Sequence, residues 1–340
     1  MPRPVSNPPN PWHSTHVEYL DAPPPDAGLE LYEERARSVL AENHSRDVPF
    51  RWSVNPYRGC THGCAYCYAR TSHQQLGFGA GTDFDRRVVV KVNAPEVLKA
   101  SFEKRSWEGE PITFSGNTDC YQGVEAHYGL TRRCLEVCRD FRNPVSVITK
   151  GALVARDVDV LSELARVARA SVFFSVAFDD DAVARKVEPW APSPSKRFAA
   201  MKTLADAGVT VAVLVAPVIP GLSEHMVPGV LERAAEAGAK GAGMQLLRLD
   251  DAVGAVWDER MRAAFPDRFE RMDHALVELR RGRRDGSVSG HRMKGEGPRW
   301  EAVRALFHGA CKRLGLNREG WLPDGPTTFK RPSAQGELFG

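Results

Sequence analysis

The chain has 340 residues, 42% hydrophobic and 26% charged, with a formal net charge of +3 at pH 7. This is ordinary globular composition and excludes a disordered or fibrous chain. The absence of a long apolar run excludes a membrane-spanning helix. Seven cysteines and an N-terminus, "MPRPVSNPPNPW", with no apolar stretch argue against a secreted disulfide framework and predict a reducing cytoplasm.

In chain order, the Pro-rich residues 1–28 read as a flexible arm. Residues 29–42 are expected to be helical. A strand–helix rhythm follows: "FRWSVN" (50–55) and "RVVVKV" (87–92) as strands, then the helix "APEVLKASFEK". "PITFSG", "PVSVITK", "SVFFSVAF" and "VTVAVLVAPVI" are further strands, alternating with "LTRRCLEVCRDF", "DVDVLSELARVA", "SPSKRFAAMKTLADAG" and "EHMVPGVLERAAEAG" as helices. A last strand-like piece, "AGMQLLRL", covers 242–249. The strands are short, β-branched and without alternation, as parallel strands buried on both faces are. The alternation predicts an α/β barrel or a doubly wound sheet, with chemistry at the C-terminal ends of the strands. Residues 29–250 would form the core, 251–316 a basic helical extension and 317–340 a loose tail.

The stretch "GCTHGCAYCYAR" (59–70) places Cys60, Cys64 and Cys67 at C-x3-C-x2-C spacing in a Gly-rich loop that can curl around a bound centre. A structural zinc wants four ligands, which His62 or a remote cysteine would have to complete. A four-iron cluster also usually takes four cysteines. Three leave one iron open, which is useful where another molecule binds there.

This loop resembles the signature of the radical S-adenosylmethionine (SAM) superfamily, C-x3-C-x-Φ-C, with Tyr66 as the aromatic Φ. The resemblance implies a partial (β/α)6 barrel and a [4Fe-4S] cluster on Cys60, Cys64 and Cys67, with SAM chelating the open iron. Reductive cleavage of SAM would then give a 5′-deoxyadenosyl radical that abstracts hydrogen from a substrate. An electron donor of flavodoxin or ferredoxin type is implied as partner. "NPYRGCTHGCAYCYAR", "SGNTDCYQ", "RNPVSVITKGALVARD", "EPWAPSPSKR" and "APVIPGLSE" are similar to a subgroup related to spore photoproduct lyase and often labelled DNA repair photolyase.

The resemblance carries SAM-binding roles to several strand ends. Thr118 and Asp119, in "SGNTD", would hold the SAM amino group; the same residues also suit a plain turn. Lys150 would neutralise the carboxylate or meet the ribose. Ser175 is a hydroxyl in an apolar strand that needs a partner, and a ribose oxygen would serve. "PVIPGLSE" fits the element G-x-I-x-G-x-x-E through Ile219, Gly221 and Glu224, with Pro217 in place of the first glycine. Arg197 would either pair with Glu188 or meet the SAM carboxylate. In spore photoproduct lyase a cysteine on the third-strand loop returns hydrogen to the substrate. Gly116 and Asn117 cannot do so here, and Cys120 is either a substitute or a packed core cysteine.

Cys134, Cys138 and Cys311 fall on apolar helical stripes and read as core. The loop "TSHQQLGFGAGTDFD" (71–85), with His73, reads as a lid over the barrel mouth or an ordinary surface loop. Residues 268–331 hold fifteen Lys/Arg against eight Asp/Glu, peaking at "RRGRR" (280–284). This segment either binds nucleic-acid phosphates or is a solvated helix face. Three functions remain open: a radical SAM enzyme acting on nucleic acid, damaged DNA included; one acting on a protein or small molecule; or a non-enzymatic metal module that binds nucleic acid.

Overall fold

A computed structural model describes residues 28–249, 251–284, 292–322 and 324–332; the arm expected over 1–28 lies almost wholly outside them. The first elements are strands, not the helix expected over 29–42. They are β1 (Glu30–Glu34), β2 (Leu40–Glu42), β3 (Trp52–Val54) and β4 (Tyr57–Arg58). "ELYEE" has no apolar stripe to bury, and pairing of β1 along a neighbouring strand satisfies its backbone instead.

Next come α1 (Arg70–Gln74), α2 (Thr82–Arg86), β5 (Arg87–Lys91), α3 (Ala94–Glu103), β6 (Ile112–Phe114), α4 (Glu125–Tyr128) and α5 (Leu130–Asp140). They are followed by β7 (Val145–Thr149), α6 (Val158–Val167), β8 (Ala170–Ser175), α7 (Asp181–Val187), α8 (Pro194–Asp206), β9 (Thr210–Val218), α9 (Val227–Glu236) and β10 (Gly241–Leu246). The helices α10 (Asp251–Ala264), α11 (Phe269–Leu279) and α12 (Pro298–Leu314) close the chain.

The main sheet has the order β10-β9-β8-β7-β6-β3-β2. Its first six members are mutually parallel, and β2 runs antiparallel on the edge. Parallel strands in chain order with helical crossovers give one-way winding, and the strands are buried as their apolar runs require. The strand 87–91 is not part of this array. It lies in a separate sheet of order β1-β5-β4, whose valines Val88 and Val90 pack with Tyr57 and Leu130 in a small core of their own.

The apolar stripes of the crossover helices face the sheet: Val160, Leu161 and Leu164 on α6, and Val227, Val230, Leu231 and Ala234 on α9. Cys134 and Cys138 are fully buried on α5, and Cys311 is buried on α12. On α12, Trp300, Val303, Phe307, Ala310 and Cys311 are buried, while Leu306 is exposed.

The C-terminal extension shares the main core. Several arginines of "RRGRR" have partners within the chain. Arg280 donates to the carbonyls of Leu247 (2.6 Å) and Arg292 (3.0 Å). Arg281 pairs with Glu296, and Arg284 pairs with Asp258 and Asp273. The leucine amide at 246 donates to Met293, so the segment after α11 lies along the free edge of β10. Arg292 then reaches Asp47, beside β2, at 3.6 Å. The two open edges of the sheet are thereby bridged.

The described residues of the tail are 317–322 and 324–332. They run along the N-terminal ends of the strands: Asn317 on Ala242, Gly325 under Arg169, Thr328 on Arg142 and Thr327 on Gly109. Phe329 packs on Phe102 and Phe141 at centroid distances of 5.9 and 6.1 Å. None of the helices among the described residues is long and apolar enough to cross a membrane.

Candidate metal centre and cofactor cavity

A cavity of about 660 Å³ opens at the C-terminal ends of the parallel strands. Residues at or after the C-terminal ends of β3, β6, β7, β8, β9 and β10 all contribute to it, among them Asn55, Asp119, Lys150, Ser175, Pro217 and Arg248. That β3 and β10, the outermost of the parallel strands, both reach one cavity is what makes the sheet a partial barrel.

Cys60, Cys64 and Cys67 line this cavity as free thiols, bonded to no other cysteine. Two glycines shape their loop. Gly59 has φ +80°, and a Cβ there would sit 2.7 Å from the Arg87 carbonyl. Gly63 has φ +65°, and a Cβ there would enter the Trp190 ring at 2.1 Å. Buried groups hold the backbone from three directions. Gln122 accepts from the Thr61 amide and donates to the Gly59 carbonyl, both at 2.9 Å. Arg70 donates to the carbonyls of Cys64, Ala80 and Gly81 and to Asp85. Arg260, on α10, donates to the Gly63 carbonyl and to the other oxygen of Asp85.

The donor set fits a cationic centre. Burial, then the nearby Asp119 carboxylate and the neighbouring thiols, pushes Cys60 well above the ordinary thiol range. Burial takes Cys64 up to about 12. Bare thiolates are therefore disfavoured, and a positively charged iron centre would offset that cost. His62, the alternative zinc ligand, turns Nδ1 toward Asp119 Oδ2 at 3.4 Å.

Asp119 is the best-supported carboxylate in the cavity. It accepts from Thr149 Oγ1 and the Lys150 amide at 2.7 Å each, and from the Tyr121 amide at 2.9 Å. Burial alone would raise its pKa, but His62 and these hydrogen bonds outweigh burial and hold it well below the usual carboxylate range. Lys150 stands 5.5 Å from the Tyr66 ring centroid. Burial would lower its pKa, yet Cys64 and Glu188 prevail and keep the ammonium charged.

Tyr66, Lys150, Ser175, Thr118 and Asp119 thus share the cavity. Two of the hydroxyls already have partners: Thr118 donates to the Tyr57 carbonyl at 2.7 Å, and Ser175 to the Ala216 carbonyl at 3.0 Å. Four expected site residues lie behind the wall. Arg197 is fully buried, pairs with Glu188 and donates to the Ser175 and Pro192 carbonyls. Ile219 is fully buried, with its amide on Ser223. Gly221, φ +76°, gives its amide to Glu224 and rests on Met272. From that loop it is Ala216 and Pro217 that reach the cavity. Cys120 is 1% exposed, sits in the main hydrophobic core and does not line the cavity. Its backbone instead ties Ser115 to Thr131, which fixes the turn carrying Asp119.

Of residues 71–85, Ser72 and Gln75 line the cavity wall. His73 is buried against Phe78 and Phe84, and α1 and α2 pack beside the cysteine loop. Gln122, Arg70, Asp85 and Arg260 are the supports that sequence reading missed. Arg70 and Gln122 are the last residues of the quoted stretches "GCTHGCAYCYAR" and "SGNTDCYQ" and were within reach. Nothing near Arg260 in the sequence points to a loop 197 residues away.

Residues 54–234 match the profile of the Radical SAM superfamily. The uncharacterized proteins Rv2578c of Mycobacterium tuberculosis and Mb2609c of Mycobacterium bovis are each 38% identical over 218 residues, 63% of this chain and 64% of theirs. The chain thus spans a little under two thirds of the length of these mycobacterial relatives. An uncharacterized Methanocaldococcus jannaschii protein, MJ0683, is 31% identical over 194 residues, 57% of this chain and 70% of its own. Among solved structures, spore photoproduct lyase complexed with dinucleoside spore photoproduct superposes with a TM-score of 0.60 at 17% identity, covering 84% of this chain and 80% of that one. This last is a likeness of fold.

Proposed function

Because the chain belongs to the Radical SAM superfamily, we propose that it is an enzyme that holds a [4Fe-4S] cluster on Cys60, Cys64 and Cys67 and takes SAM beside it. The observation that carries this reading is the meeting of three buried, unbridged thiols with Asp119 and Lys150 at one strand-end cavity. When bound, cluster and SAM supply a 5′-deoxyadenosyl radical that takes hydrogen from a substrate C–H bond.

The chain's own residues bind and orient. Asp119, kept ionised by His62, Thr149 and Lys150, receives the SAM amino group. The Lys150 ammonium faces the carboxylate. Tyr66 remains a neutral phenol, since burial and Glu188 raise its pKa, and its ring forms cavity wall. Thr118 and Ser175 bring the strand ends to their spacing, and Ala216 and Pro217 offer main chain to the adenine. Arg197, Ile219 and Gly221 support these groups from behind.

Damaged DNA is the first substrate class to assay, on the likeness of fold to spore photoproduct lyase. The burial of Cys120 argues that hydrogen is not returned from that thiol. A protein or small-molecule substrate is the second reading, favoured by the pairing of Arg280, Arg281 and Arg284 within the chain. The test is anaerobic reduction with SAM, with and without ultraviolet-irradiated DNA. Formation of 5′-deoxyadenosine is expected, and repair of the lesion would select the first reading. A reduced, iron-loaded protein that leaves SAM intact would overturn the proposal.

A further inference from the structure

The cavity has a second charged wall that the SAM reading does not use. Arg58, on β4, pairs with Val89 on β5, and Lys91 lies two residues further along β5. Side chains alternate along a strand, so Arg58, Val89 and Lys91 share one face of the small sheet. Both cations line the cavity, and Lys91 is only 8% exposed. Neither makes a side-chain hydrogen bond or an ion pair with any described residue. This differs from Arg70, Arg197 and Arg260, which lie near the cysteine loop and are each held by a carboxylate.

Lys91 is buried as a residue and Arg58 is half-buried. Two neighbouring cations that open on a partly enclosed cavity without a counter-charge repel each other, and an anion between them relieves that cost. Glu34, opposite Lys91 on β1, is the nearest carboxylate that acts on it, but the two form no ion pair. The wall stays net positive. Ser72, Gln75, Asn117 and Thr118 complete that side of the cavity with polar groups. Thr118 also fixes the geometry, since its hydroxyl holds the Tyr57 carbonyl next to Arg58.

We propose that Arg58 and Lys91 form an anion subsite that grips a phosphate or carboxylate group of the substrate. Arg58 offers a planar fork and Lys91 a point charge, a pair suited to an oxyanion lying between them. In the absence of an anion, burial and the adjacent Arg58 bring Lys91 down to about 8; a bound anion would restore its charge. This deepens the proposed function and rests on it only in taking the anion as part of the substrate.

The test is calorimetric titration of the iron-loaded protein, saturated with SAM and at fixed ionic strength, with inorganic phosphate and separately with acetate. At least one should bind saturably. Affinity should fall about tenfold or more in Arg58→Gln and in Lys91→Met, survive in Lys91→Arg, and rise in Glu34→Gln, which removes the opposing charge. Binding of phosphate alone identifies a phosphorylated substrate; binding of acetate identifies a carboxylate-bearing one. Absence of saturable binding by both probes overturns the subsite, as does binding that is unchanged by Arg58→Gln and Lys91→Met or weakened by Glu34→Gln. The readout is binding, so its failure is distinct from a failure to form 5′-deoxyadenosine.

Discussion

The Tyr66 phenol donates to Glu188, 122 residues away, and the other oxygen of that carboxylate is held by Arg197. All three side chains are buried. The aromatic residue between the second and third cysteines is thus fixed by the loop between α7 and α8. Through that loop Trp190 also closes on Gly63. The cysteine loop therefore takes its shape from contacts distant in sequence.

Removing Glu188 should show this directly. Glu188→Ala strands a buried guanidinium and is expected to cost the apoprotein about 3 to 5 kcal/mol. Adding Arg197→Met should recover part of that loss. The same pair predicts the acid limb of stability. Burial tends to raise the Glu188 pKa, but Arg197, Lys150 and Tyr66 lower it below its ordinary value. A depressed carboxyl contributes stability that is present above its unfolded pKa, about 4.3, and is lost as pH falls through the folded value. Urea midpoints measured from pH 7 down to pH 3 should fall in the wild type, and less steeply in the double variant.

Ligand and cofactor residues should separate by readout. Alanine at Cys60, Cys64 or Cys67 should abolish iron content and brown colour. Lys150→Ala should keep the iron and bind SAM about tenfold or more weakly, as loss of a charge-assisted contact predicts. A single cysteine variant that retains four irons would remove that residue from the ligand set.

Arg260 links the C-terminal extension to the cysteine loop. Arg260→Ala leaves the Gly63 carbonyl and one oxygen of the buried Asp85 without their partner. The expected result is slower iron incorporation during anaerobic reconstitution, with Arg260→Lys intermediate because it cannot span both acceptors. Equal rates of iron uptake in the three proteins would confine Arg260 to general packing.

Local patterns made the centre of the molecule readable. The β-branched runs at 145–149, 170–175 and 210–218 are strands because only a doubly covered parallel sheet buries such runs. The spacing of Cys60, Cys64 and Cys67 is itself the site. What escaped was set by tertiary partners. The strand 87–91 looks like its neighbours in composition, yet it pairs with β1 and β4 outside the barrel. "RRGRR" is a run of like charge in the sequence, and its acidic neighbours Asp258, Asp273 and Glu296 come from elsewhere in the chain. Arg197, in the first turn of α8, and Cys120, in the loop after β6, have the right chemistry, but both side chains are buried away from the cavity, and no local pattern in the sequence records that.

The tail gives the last prediction. Arg331 donates to the carbonyls of Phe102, Lys104 and Trp107 at 3.1, 2.6 and 2.9 Å. Phe329 fills the space above Gly109, where a Cβ would come within 2.1 Å of its own. These contacts lie at the N-terminal ends of the strands, across the barrel from the cysteines. Phe329→Ala removes apolar packing and should destabilise the protein by about 2 kcal/mol, and Gly109→Ala should do the same by expelling the ring and straining a backbone at φ +75°. Because both changes act on one contact, the double variant should lose less than the sum of the singles. Thermal unfolding of the four proteins, with iron content as a check on the distant site, measures this. Additive losses would mean that Phe329 and Gly109 stabilise the barrel floor independently.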